Sequence, residues 1–571
     1  MIISIAREKD HLEVKGIKFY GENFQKLISC PDRKTFKNGR FIFLNSHSNI
    51  DHIINSFENI SWDQDALEFK NNLFNFKEKE NNQLVEKNQD FLIKDYPDIF
   101  KTKPFDHQLK AFEISKDLNF YGLFFEQGCG KTKVVIDNAT YLFKLNKVNS
   151  LIIIAPNGVH KNWITDELPT HCKQEYDAFC WEGNLNKNNL KRLNEVQLSN
   201  NLKIFSFNVE SFVSVRQQEM LQEIIKSNKC LLVIDESQTI KNPTAKRTKF
   251  LVDKISKMVD YKRIMSGTPV TKGIQDLYTQ FKFLSPEIIG ISSYFAFKNK
   301  YCLLGGFQMK QIIGYKGVEE LQRKVDVHTM RVLKKDCLDL PEKLYQKAPF
   351  VLTEEQIRIY NEIKDEGITF INRLKEDGQP ITLDNVLTRM KKLQQIANGY
   401  LLNVEDKEII EIIPPEKNPR LLKLKEILEN IEGKVIIWTI YTQDIKYISN
   451  MLGSKAVRYD GRISSEEKEI NKESFKKNPA IKYLIANTQA MARGHTLTEA
   501  ETSIYYSNSF DLELRLQSED RNHRTGTKNN VLYIDLQAEK TLDRKIIRAL
   551  RSKKKIADMV LQDPDNLFME N

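Results

Sequence analysis

The sequence contains no long hydrophobic run. Its uninterrupted apolar stretches, such as LIIIA (151–155) and VIIW (435–438), are far shorter than the ~20 residues that span a bilayer. The apolar start MIISIA is broken at once by REKD, which is unlike a secretory signal. We therefore expect no transmembrane or secretory segment, no membrane partner and an intracellular location.

Cysteine is scarce and is not grouped. The seven cysteines, at positions 30, 129, 172, 180, 230, 302 and 337, form no CxxC pair, and their number is odd. This pattern suggests neither a disulfide framework nor a zinc ribbon, so we interpret the cysteines as small buried apolar residues. Apolar residues make up 40% of the 571 residues, which is enough for real cores in three or four domains. The net charge of +10 suits a polyanionic partner.

The most informative stretch is FEQGCGKTKVVIDNATYLF (125–143), in which a glycine-containing turn leads into a helical pattern. Its backbone N–H groups could turn towards phosphate oxygens, a lysine could reach the β and γ phosphates of a nucleotide, and a threonine could hold Mg²⁺. The residues concerned are Gly128, Gly130, Lys131 and Thr132. The spacing GxxxxGK[ST] requires a glycine where this chain has Phe125, so an ordinary strand-to-helix turn remains an alternative.

A second motif supplies acids. CLLVIDESQTIKN (230–242) has the pattern of a buried strand that ends in Asp235 and Glu236, as strands do when they bring acids to the carboxyl edge of a parallel sheet. Asp235 would orient Mg²⁺ on the nucleotide, and Glu236 would polarise the attacking water. The alternative is a strand that simply ends in an acidic turn. Together the two motifs predict an ATPase that uses ATP and Mg²⁺.

Residues 104–285 contain several strand–helix units, which is typical of one parallel-sheet lobe. Gln108, near its start, could read an adenine edge, although such a residue on its own is more often a surface glutamine. Lys161 and Asn162 stand where a second strand turns into a helix, so backbone phosphates could dock there. A further strand ends in SGTP, whose small hydroxylated residues could lie between the nucleotide and a partner lobe.

The rest of the chain divides into four parts. Residues 1–95 read as a small α+β accessory module in which each half is a strand feeding a helix. Residues 286–402 read as mainly helical insertions, and the prolines of 403–420 mark a linker. Residues 421–571 show a second sheet pattern without its own phosphate loop, followed by a basic C-terminal helix.

Two arginines of this second lobe, Arg521 and Arg524, would lie on one face if their segment is helical. Arginines near a transferred phosphoryl group stabilise its charge, and a two-lobe motor needs such fingers from the lobe that lacks a nucleotide loop. An isolated pair of this kind is otherwise a solvated face.

With these motifs assembled, residues 104–550 resemble the Swi/Snf-type ATPases of the superfamily-two helicases and translocases. FEQGCGKT looks like the DEMGLGKT of that family, which also lacks the first glycine; APNGVHKNWITDE resembles its motif Ia; and SGTPV and QSEDRNHRTGT are similar to its motifs III and VI. MRVLKKDCLDLPEK and LTRMKKLQQIANGY resemble its helical insertions. Gln238 replaces the motif II histidine, and Met491 and Ala492 replace common motif V glycines, which leaves details of coupling open.

The resemblance implies an α/β fold of two RecA-like parallel-sheet lobes with helical insertions, a DEAH-like box, and duplex DNA across the cleft. It gives Gln108, Lys131, Thr132, Asp235, Glu236 and the two arginines the roles stated above. It also implies sequence-independent phosphate contacts around Lys161, Ser266, Thr488 and Gly494. The compact chain looks like a phage or bacterial member, which would place it in the cytoplasm; in a eukaryote it would be nuclear.

Three functions follow as hypotheses: an ATP-dependent translocase on double-stranded or branched DNA, a strand-separating DNA helicase, and a non-catalytic DNA-binding scaffold, which the complete hydrolytic motifs disfavour. We expect a monomer. The N-terminal module could dock a protein partner or grip a DNA junction, because basic residues (Arg33, Lys34, Lys37 and Arg40) flank the turn between its halves. Its aromatic residues Phe19, Tyr20, Phe24, Phe41 and Phe43 could equally form a core.

Overall fold

The structure is a computed structural model. It describes residues 3–8, 11–15, 22–28, 33–37, 40–44, 47–57, 60–71, 96–183, 186–271, 273–291, 293–305, 311–337, 340–376, 383–402, 408–491, 496–524, 526–527 and 529–551. Within these ranges no helix is both long enough and apolar enough to cross a bilayer. The chain divides into two compact units, Met1–Cys337 and Leu338–Asn571.

The first unit begins with a small α+β module. Its elements are β1 (Ile3–Glu8), β2 (His11–Lys15), α1 (Glu22–Ile28), β3 (Arg33–Lys37), β4 (Arg40–Leu44), α2 (His47–Ser56), β5 (Ile60–Trp62) and α3 (64–71). The strands form one sheet in the order β3-β4-β2-β1-β5. Each half is therefore a hairpin followed by a helix, and not the single strand and helix that the pattern predicted.

Two of the aromatic residues of the module, Phe41 and Phe43, are buried in its core, as alternate residues on one face of a strand should be. Phe24 lies on α1, whereas Phe19 and Tyr20 fall outside the described residues. The four basic residues lie on the β3–β4 hairpin, where Lys37 pairs with Arg40 beside the turn.

The larger part of the first unit is built on a seven-stranded sheet in the order β14-β6-β11-β10-β7-β9-β8, in which all neighbours are parallel. Its strands are β6 (Phe120–Phe125), β7 (Ser150–Ala155), β8 (Tyr176–Cys180), β9 (Leu202–Asn208), β10 (Cys230–Asp235), β11 (Tyr261–Met265) and β14 (Thr329–Val332); β12 (Cys302–Gly305) and β13 (Gln311–Tyr315) form a separate hairpin. β7 and β10 are buried along their whole length, which explains their uninterrupted apolar sequences.

Twelve labelled helices accompany this sheet and the hairpin in the described part of the unit. They are α4 (Asp106–Ser115), α5 (Lys131–Lys144), α6 (Val159–Asn162), α7 (Leu168–His171), α8 (Lys187–Leu198), α9 (Val215–Ser227), α10 (Lys246–Lys249), α11 (Leu277–Leu284), α12 (Pro286–Ile289), α13 (Tyr294–Tyr301), α14 (Val318–Val327) and α15 (Lys334–Cys337). A π-helical turn, Trp163–Glu167, joins α6 to α7.

The order of the central strands positions the functional motifs. β11 lies between β6 and β10, so the segments that follow these three strands meet at one edge of the sheet. They are the glycine-containing loop, the SGTP segment and the acidic pair. Because parallel strands present their carboxyl ends together, motifs that are distant in sequence become neighbours.

The second unit is built on a six-stranded, all-parallel sheet in the order β15-β22-β21-β18-β20-β19. Its strands are β15 (Lys343–Phe350), β18 (Lys434–Thr439), β19 (Ala456–Tyr459), β20 (Tyr483–Asn487), β21 (Ala500–Tyr505) and β22 (Val531–Ala538), with β16 (Tyr400–Leu402) and β17 (Ile409–Glu411) in a small separate pair. Its helices are α16 (Glu354–Glu376), α17 (Leu383–Ala397), α18 (Pro419–Glu429), α19 (Thr442–Leu452), α20 (Ser465–Lys477), α21 (Thr488–Met491), α22 (Leu512–Glu519) and α23 (Leu542–Arg551). The predicted α/β fold with two parallel-sheet lobes is confirmed.

The segment 286–402, predicted to be mainly helical, contributes an edge strand to each large sheet. Among the described strands, β14 pairs with β6 alone and β15 pairs with β22 alone. β14 is four residues long, and most residues of β15 are exposed, so neither has the apolar run of a central strand. Long-range pairing, which leaves no local signal, decides that these residues are strands.

Candidate nucleotide site

The glycine-containing loop connects β6 to α5. Gly128 and Gly130 have φ values of 86° and 75°, the left-handed region that costs glycine nothing. At Gly130 a Cβ atom would lie 2.0 Å from Nε2 of Gln108, so any other residue there would displace that side chain. The loop leads directly into the N-terminus of α5, where free backbone N–H groups favour the binding of an anion.

Lys131 is the first residue of α5, and its side chain folds back over the loop. Its Nζ donates to the carbonyl oxygen of Phe125 at 2.9 Å, and the residue is 9% exposed. A buried ammonium with a neutral carbonyl partner is well placed to exchange it for an anion, because charge-assisted hydrogen bonds are the stronger ones.

Gln108 supports the same loop from α4. Its Oε1 accepts from the backbone N–H of Phe105 at 2.9 Å, while its Nε2 donates to the carbonyl oxygens of Cys129 at 3.4 Å and Gly130 at 3.5 Å. The residue is 4% exposed, so it is not a surface glutamine. The neighbouring His107 ring also contacts the Cys129 carbonyl oxygen, with Nε2 at 2.8 Å. His107 belongs to none of the sequence motifs, so its contact with the loop is visible only in the structure.

The acidic pair follows β10. Asp235 Oδ2 accepts from the indole Nε1 of Trp163 at 2.9 Å, and Oδ1 accepts from the backbone N–H of Glu236 at 2.9 Å. Burial, reinforced by the neighbouring Glu236 carboxylate, raises the pKa of Asp235 to about 7. Trp163 begins the π-helical turn between α6 and α7, a local irregularity that is often found at functional sites.

Glu236 is held in an unusual backbone conformation and by two side-chain amides. Its φ of 51° is strained for a non-glycine residue. Gln238 Nε2 donates to its Oε2 at 2.8 Å, and Gln127 Nε2 is 3.4 Å from its Oε1. Gln127 belongs to the glycine-containing loop, so the carboxylate is linked directly to that loop.

The same chain of hydrogen bonds continues to the SGTP segment. Ser266 Oγ donates to Gln238 Oε1 at 2.7 Å, and the backbone N–H of Thr268 donates to Ser266 Oγ at 2.9 Å. Gln238, which in sequence was only a departure from a motif, thus joins the acid to the end of β11. Its replacement of a histidine preserves both a donor and an acceptor.

The donor set fits a magnesium ion that is also bound by phosphate. Mg²⁺ in nucleotide sites usually keeps waters and takes one or two protein oxygens besides the phosphates. Thr132 supplies a hydroxyl at the start of α5 and Asp235 a buried carboxylate, and a nearby cation would favour the ionised form of that carboxylate. The described residues contain no larger metal-binding cluster.

The residues predicted to contact DNA have different environments. Lys161 and Asn162 lie on α6 and are partly exposed. Ser266 is fully buried and bonded to Gln238, and Thr488 is 2% exposed, with its hydroxyl 3.4 Å from the carbonyl oxygen of Thr439. Neither hydroxyl faces solvent, so any contact there involves the backbone of these segments. Gly494 lies outside the described residues.

The two arginines of the second unit do not share a helical face, because α22 ends at Glu519. Arg521 is 5% exposed, and its Nε donates to the carbonyl oxygen of Gln517 at 2.9 Å. Arg524 lies in the following turn, where its backbone N–H donates to Thr527 Oγ1 at 3.1 Å. Arg521 and Arg524 were expected on one face only if their segment were helical, and this segment is not part of a helix.

Comparisons with known proteins identify the family. A family model described as SNF2-related domain matches residues 111–401, and one described as Helicase conserved C-terminal domain matches residues 417–526. The chain therefore belongs to the SNF2-related family, as its motifs suggested.

The curated relatives are distant and longer. An uncharacterized ATP-dependent helicase of Mycoplasma pneumoniae is 26% identical over 78% of this chain and 40% of its own length. Human TATA-binding protein-associated factor 172 is 23% identical over 73% of this chain and 25% of its own length. The mouse DNA annealing helicase and endonuclease ZRANB3 is 24% identical over 81% of this chain and 41% of its own length. This chain thus spans no more than about two-fifths of each of these three relatives.

Among solved structures, the Sulfolobus solfataricus SWI2/SNF2 ATPase core in complex with dsDNA is similar to this chain. The identity is 23% and the TM-score 0.37, over 83% of this chain and 96% of that chain.

Proposed function

We propose that this chain is a DNA-dependent ATPase that hydrolyses ATP with Mg²⁺ while it tracks double-stranded or branched DNA and remodels DNA or protein–DNA complexes. One observation carries the proposal. The glycine-containing loop, the acidic pair and the SGTP segment are joined by the hydrogen bonds Gln127–Glu236–Gln238–Ser266. This arrangement connects a phosphate-binding loop to a positioned carboxylate, which is what phosphoryl transfer to water requires.

In this proposal each residue has one task. The loop around Gly128 and Gly130 binds the phosphates through its N–H groups, and Lys131 neutralises their charge. Thr132 and Asp235 would hold Mg²⁺, which when bound neutralises charge that develops on the phosphate oxygens. Glu236, with its orientation set by two amides, positions the attacking water and accepts its proton.

Three further residues enter the proposal on sequence grounds. Gln108, besides holding the phosphate loop, would read the adenine edge of ATP. Arg521 and Arg524 would stabilise the transferred phosphoryl group once nucleotide is bound.

DNA is the proposed polymer because the family relatives include named helicases and because the chain carries a net charge of +10. Lys161 and Asn162, on the partly exposed helix α6, are the proposed side-chain contacts to phosphates. The segments of Ser266, Thr488 and Gly494 would contribute through their backbone.

Two substitutions test the ATPase. Lys131→Ala should abolish both tight ATP binding and turnover, whereas Glu236→Gln should keep ATP binding and lose turnover, because only the second removes the proton acceptor without removing positive charge. ATP binding is measured by titration with a fluorescent analogue, and turnover by phosphate release with duplex DNA. The control is Asp253→Asn, which removes an exposed acid paired with Lys282 at 3.0 Å and should change neither. Wild-type turnover in Glu236→Gln would refute the assignment.

A DNA-substrate series tests the choice of polymer and of action. We expect stimulation of the ATPase by duplex and forked DNA, without displacement of a strand from a plain duplex. Deletion of 1–95 should keep stimulation by plain duplex and remove any preference for forks, if the basic β3–β4 hairpin grips the junction. An unchanged ratio of fork to duplex activity in the truncated protein would contradict that role and favour docking of a protein partner.

A further inference from the structure

Two cysteines that are far apart in sequence have adjacent side chains at the phosphate loop. Cys129 lies within the loop, and Cys337 is the last residue of α15, at a sequence separation of 208. Their Sγ atoms are 3.6 Å apart. Cys129 is 1% exposed, whereas Cys337 is partly exposed, so one thiol of the pair is open to small solutes. Both belong to the first compact unit.

The two cysteines lie next to segments that are hydrogen-bonded to each other. β14, which leads into α15, pairs with β6, which leads into the loop. Beyond the strands, the backbone N–H of Glu126 donates to the carbonyl oxygen of Val332 at 2.9 Å, and that of Lys334 donates to Glu126 Oε2 at 2.8 Å. The sulfur atoms are therefore kept close by the fold itself.

The remaining gap is small in comparison with a disulfide. Two bonded sulfur atoms lie ~2.05 Å apart, so the thiols must approach by about 1.5 Å. Rotation about the Cα–Cβ bonds supplies part of this movement, and a shift of the short helix α15 or of the loop supplies the rest. Held this close, two thiols react at a high effective concentration.

We propose that Cys129 and Cys337 form a reversible disulfide under oxidising conditions and that this bond inactivates the proposed nucleotide site. The oxidant we name is a peroxide. Hydrogen peroxide transfers one oxygen to the Cys337 thiol, which becomes a sulfenic acid, and its other oxygen leaves as water. The Cys129 sulfur then attacks Cys337 Sγ, the S–S bond forms, and the sulfenic oxygen leaves as a second water. Two thiols thus lose two electrons and two protons to one peroxide. A thiol reductant reverses the reaction.

Exposure decides the order of the two steps. Burial raises the pKa of both thiols, that of Cys129 to about 12, and Cys129 is in addition closed to external reagents. Cys337 is the more accessible sulfur and reacts first. Ring closure by Cys129 is then slow at neutral pH, which suits a response to sustained oxidation.

The disulfide would disturb the loop at its most constrained point. Cys129 lies between the two glycines and two residues before Lys131, and its carbonyl oxygen accepts from both His107 and Gln108. Movement of Cys129 towards α15 changes the direction of the neighbouring N–H groups that are proposed to bind phosphate. This part of the inference rests on the proposed function, whereas formation of the disulfide does not.

The experiment uses the full chain. Wild type, Cys337→Ala, Cys337→Ser and Cys180→Ala are reduced, freed of reductant and incubated with hydrogen peroxide. Peptide mass spectrometry without reduction reports the Cys129–Cys337 cross-link, a fluorescent ATP analogue reports nucleotide binding, and phosphate release reports turnover. Cys180→Ala removes a partly exposed thiol elsewhere in the same unit and is the matched control.

We expect the cross-link in wild type and in Cys180→Ala, with at least a tenfold loss of nucleotide affinity that dithiothreitol restores. Both Cys337 variants should match reduced wild type before oxidation and keep their affinity after it. Absence of the cross-link, a cross-link without loss of affinity, or equal loss in the Cys337 variants would overturn the inference. Failure of the proposed function is distinguishable, because reduced wild type would then lack ATP binding altogether.

Discussion

Replacement of Asp235 by asparagine should remove part of the pH dependence of stability of the first unit. The ordinary pKa of an aspartate is 3.8, and burial beside Glu236 raises that of Asp235 to about 7. Between these values the unfolded chain has released the proton and the native protein still holds it. The contribution of Asp235 to the free energy of unfolding therefore falls as pH rises through this window, by about 1 kcal/mol per pH unit.

The size of the effect follows from that window. From about pH 5 to about pH 7 the wild type should lose about 2 kcal/mol that Asp235→Asn does not lose, since an amide does not titrate. Asparagine offers one oxygen where the carboxyl group accepts from both Trp163 Nε1 and the Glu236 N–H. The lost hydrogen bond costs about 1–3 kcal/mol at every pH, so only the pH-dependent part of the difference reports the ionisation.

Differential scanning calorimetry of the nucleotide-free protein at several pH values is the assay, because it separates transitions of the two units. For a unit of this size we expect the gap between variant and wild-type melting temperatures to change by roughly 3 °C in favour of the variant as pH rises from about 5 to about 7. Asp177→Asn is the matched control. A hydrogen bond from Ser199 is the main cause that lowers the pKa of Asp177, so its titration ends below this window and the gap should stay constant. Parallel curves for Asp235→Asn and wild type would refute the reasoning.

Three further predictions concern catalysis and DNA. Gln238→Ala removes the amide that orients Glu236. We expect turnover to fall on the order of 10- to 100-fold while ATP affinity is nearly unchanged. Equal losses of turnover and of ATP affinity would indicate a general structural role for Gln238. Arg521→Ala and Arg524→Ala should lower kcat by a factor on the order of 10³ while the melting temperature of the second unit is kept; destabilised protein with normal turnover per folded molecule would contradict a finger role. DNA affinity should fall steeply with salt and depend little on sequence, as anisotropy titrations on unrelated duplexes can show, and a flat salt response would exclude phosphate contacts as the main source of affinity.

The candidate nucleotide site shows how much of a site can be recognised from local sequence. Gly128, Gly130, Lys131 and the acidic pair are recognisable because a turn with positive φ and a buried strand that ends in acids each need particular residues within a few positions. The same reasoning identified two parallel sheets from apolar runs, and the family from its motifs. These are short-range signals, and they depend little on the rest of the chain.

Tertiary structure alone decided which distant residues meet. The edge strands β14 and β15 lack the continuous apolar run of a central strand, and pairing with β6 and β22 makes them strands. The amide chain from Gln127 to Ser266 depends on the placement of β11 between β6 and β10.

The cysteines show the same limit. An odd number of scattered cysteines gave no reason to pair any two of them, yet the β6–β14 pairing brings Cys129 and Cys337 to 3.6 Å. Periodicity and motif spacing indicate which residues can form a strand, form a turn or bind a phosphate. Residues two hundred positions apart come together only when their strands pair in the sheet. That pairing depends on the burial of whole sheet faces and on backbone hydrogen bonds that every sequence can form, so local sequence does not reveal it.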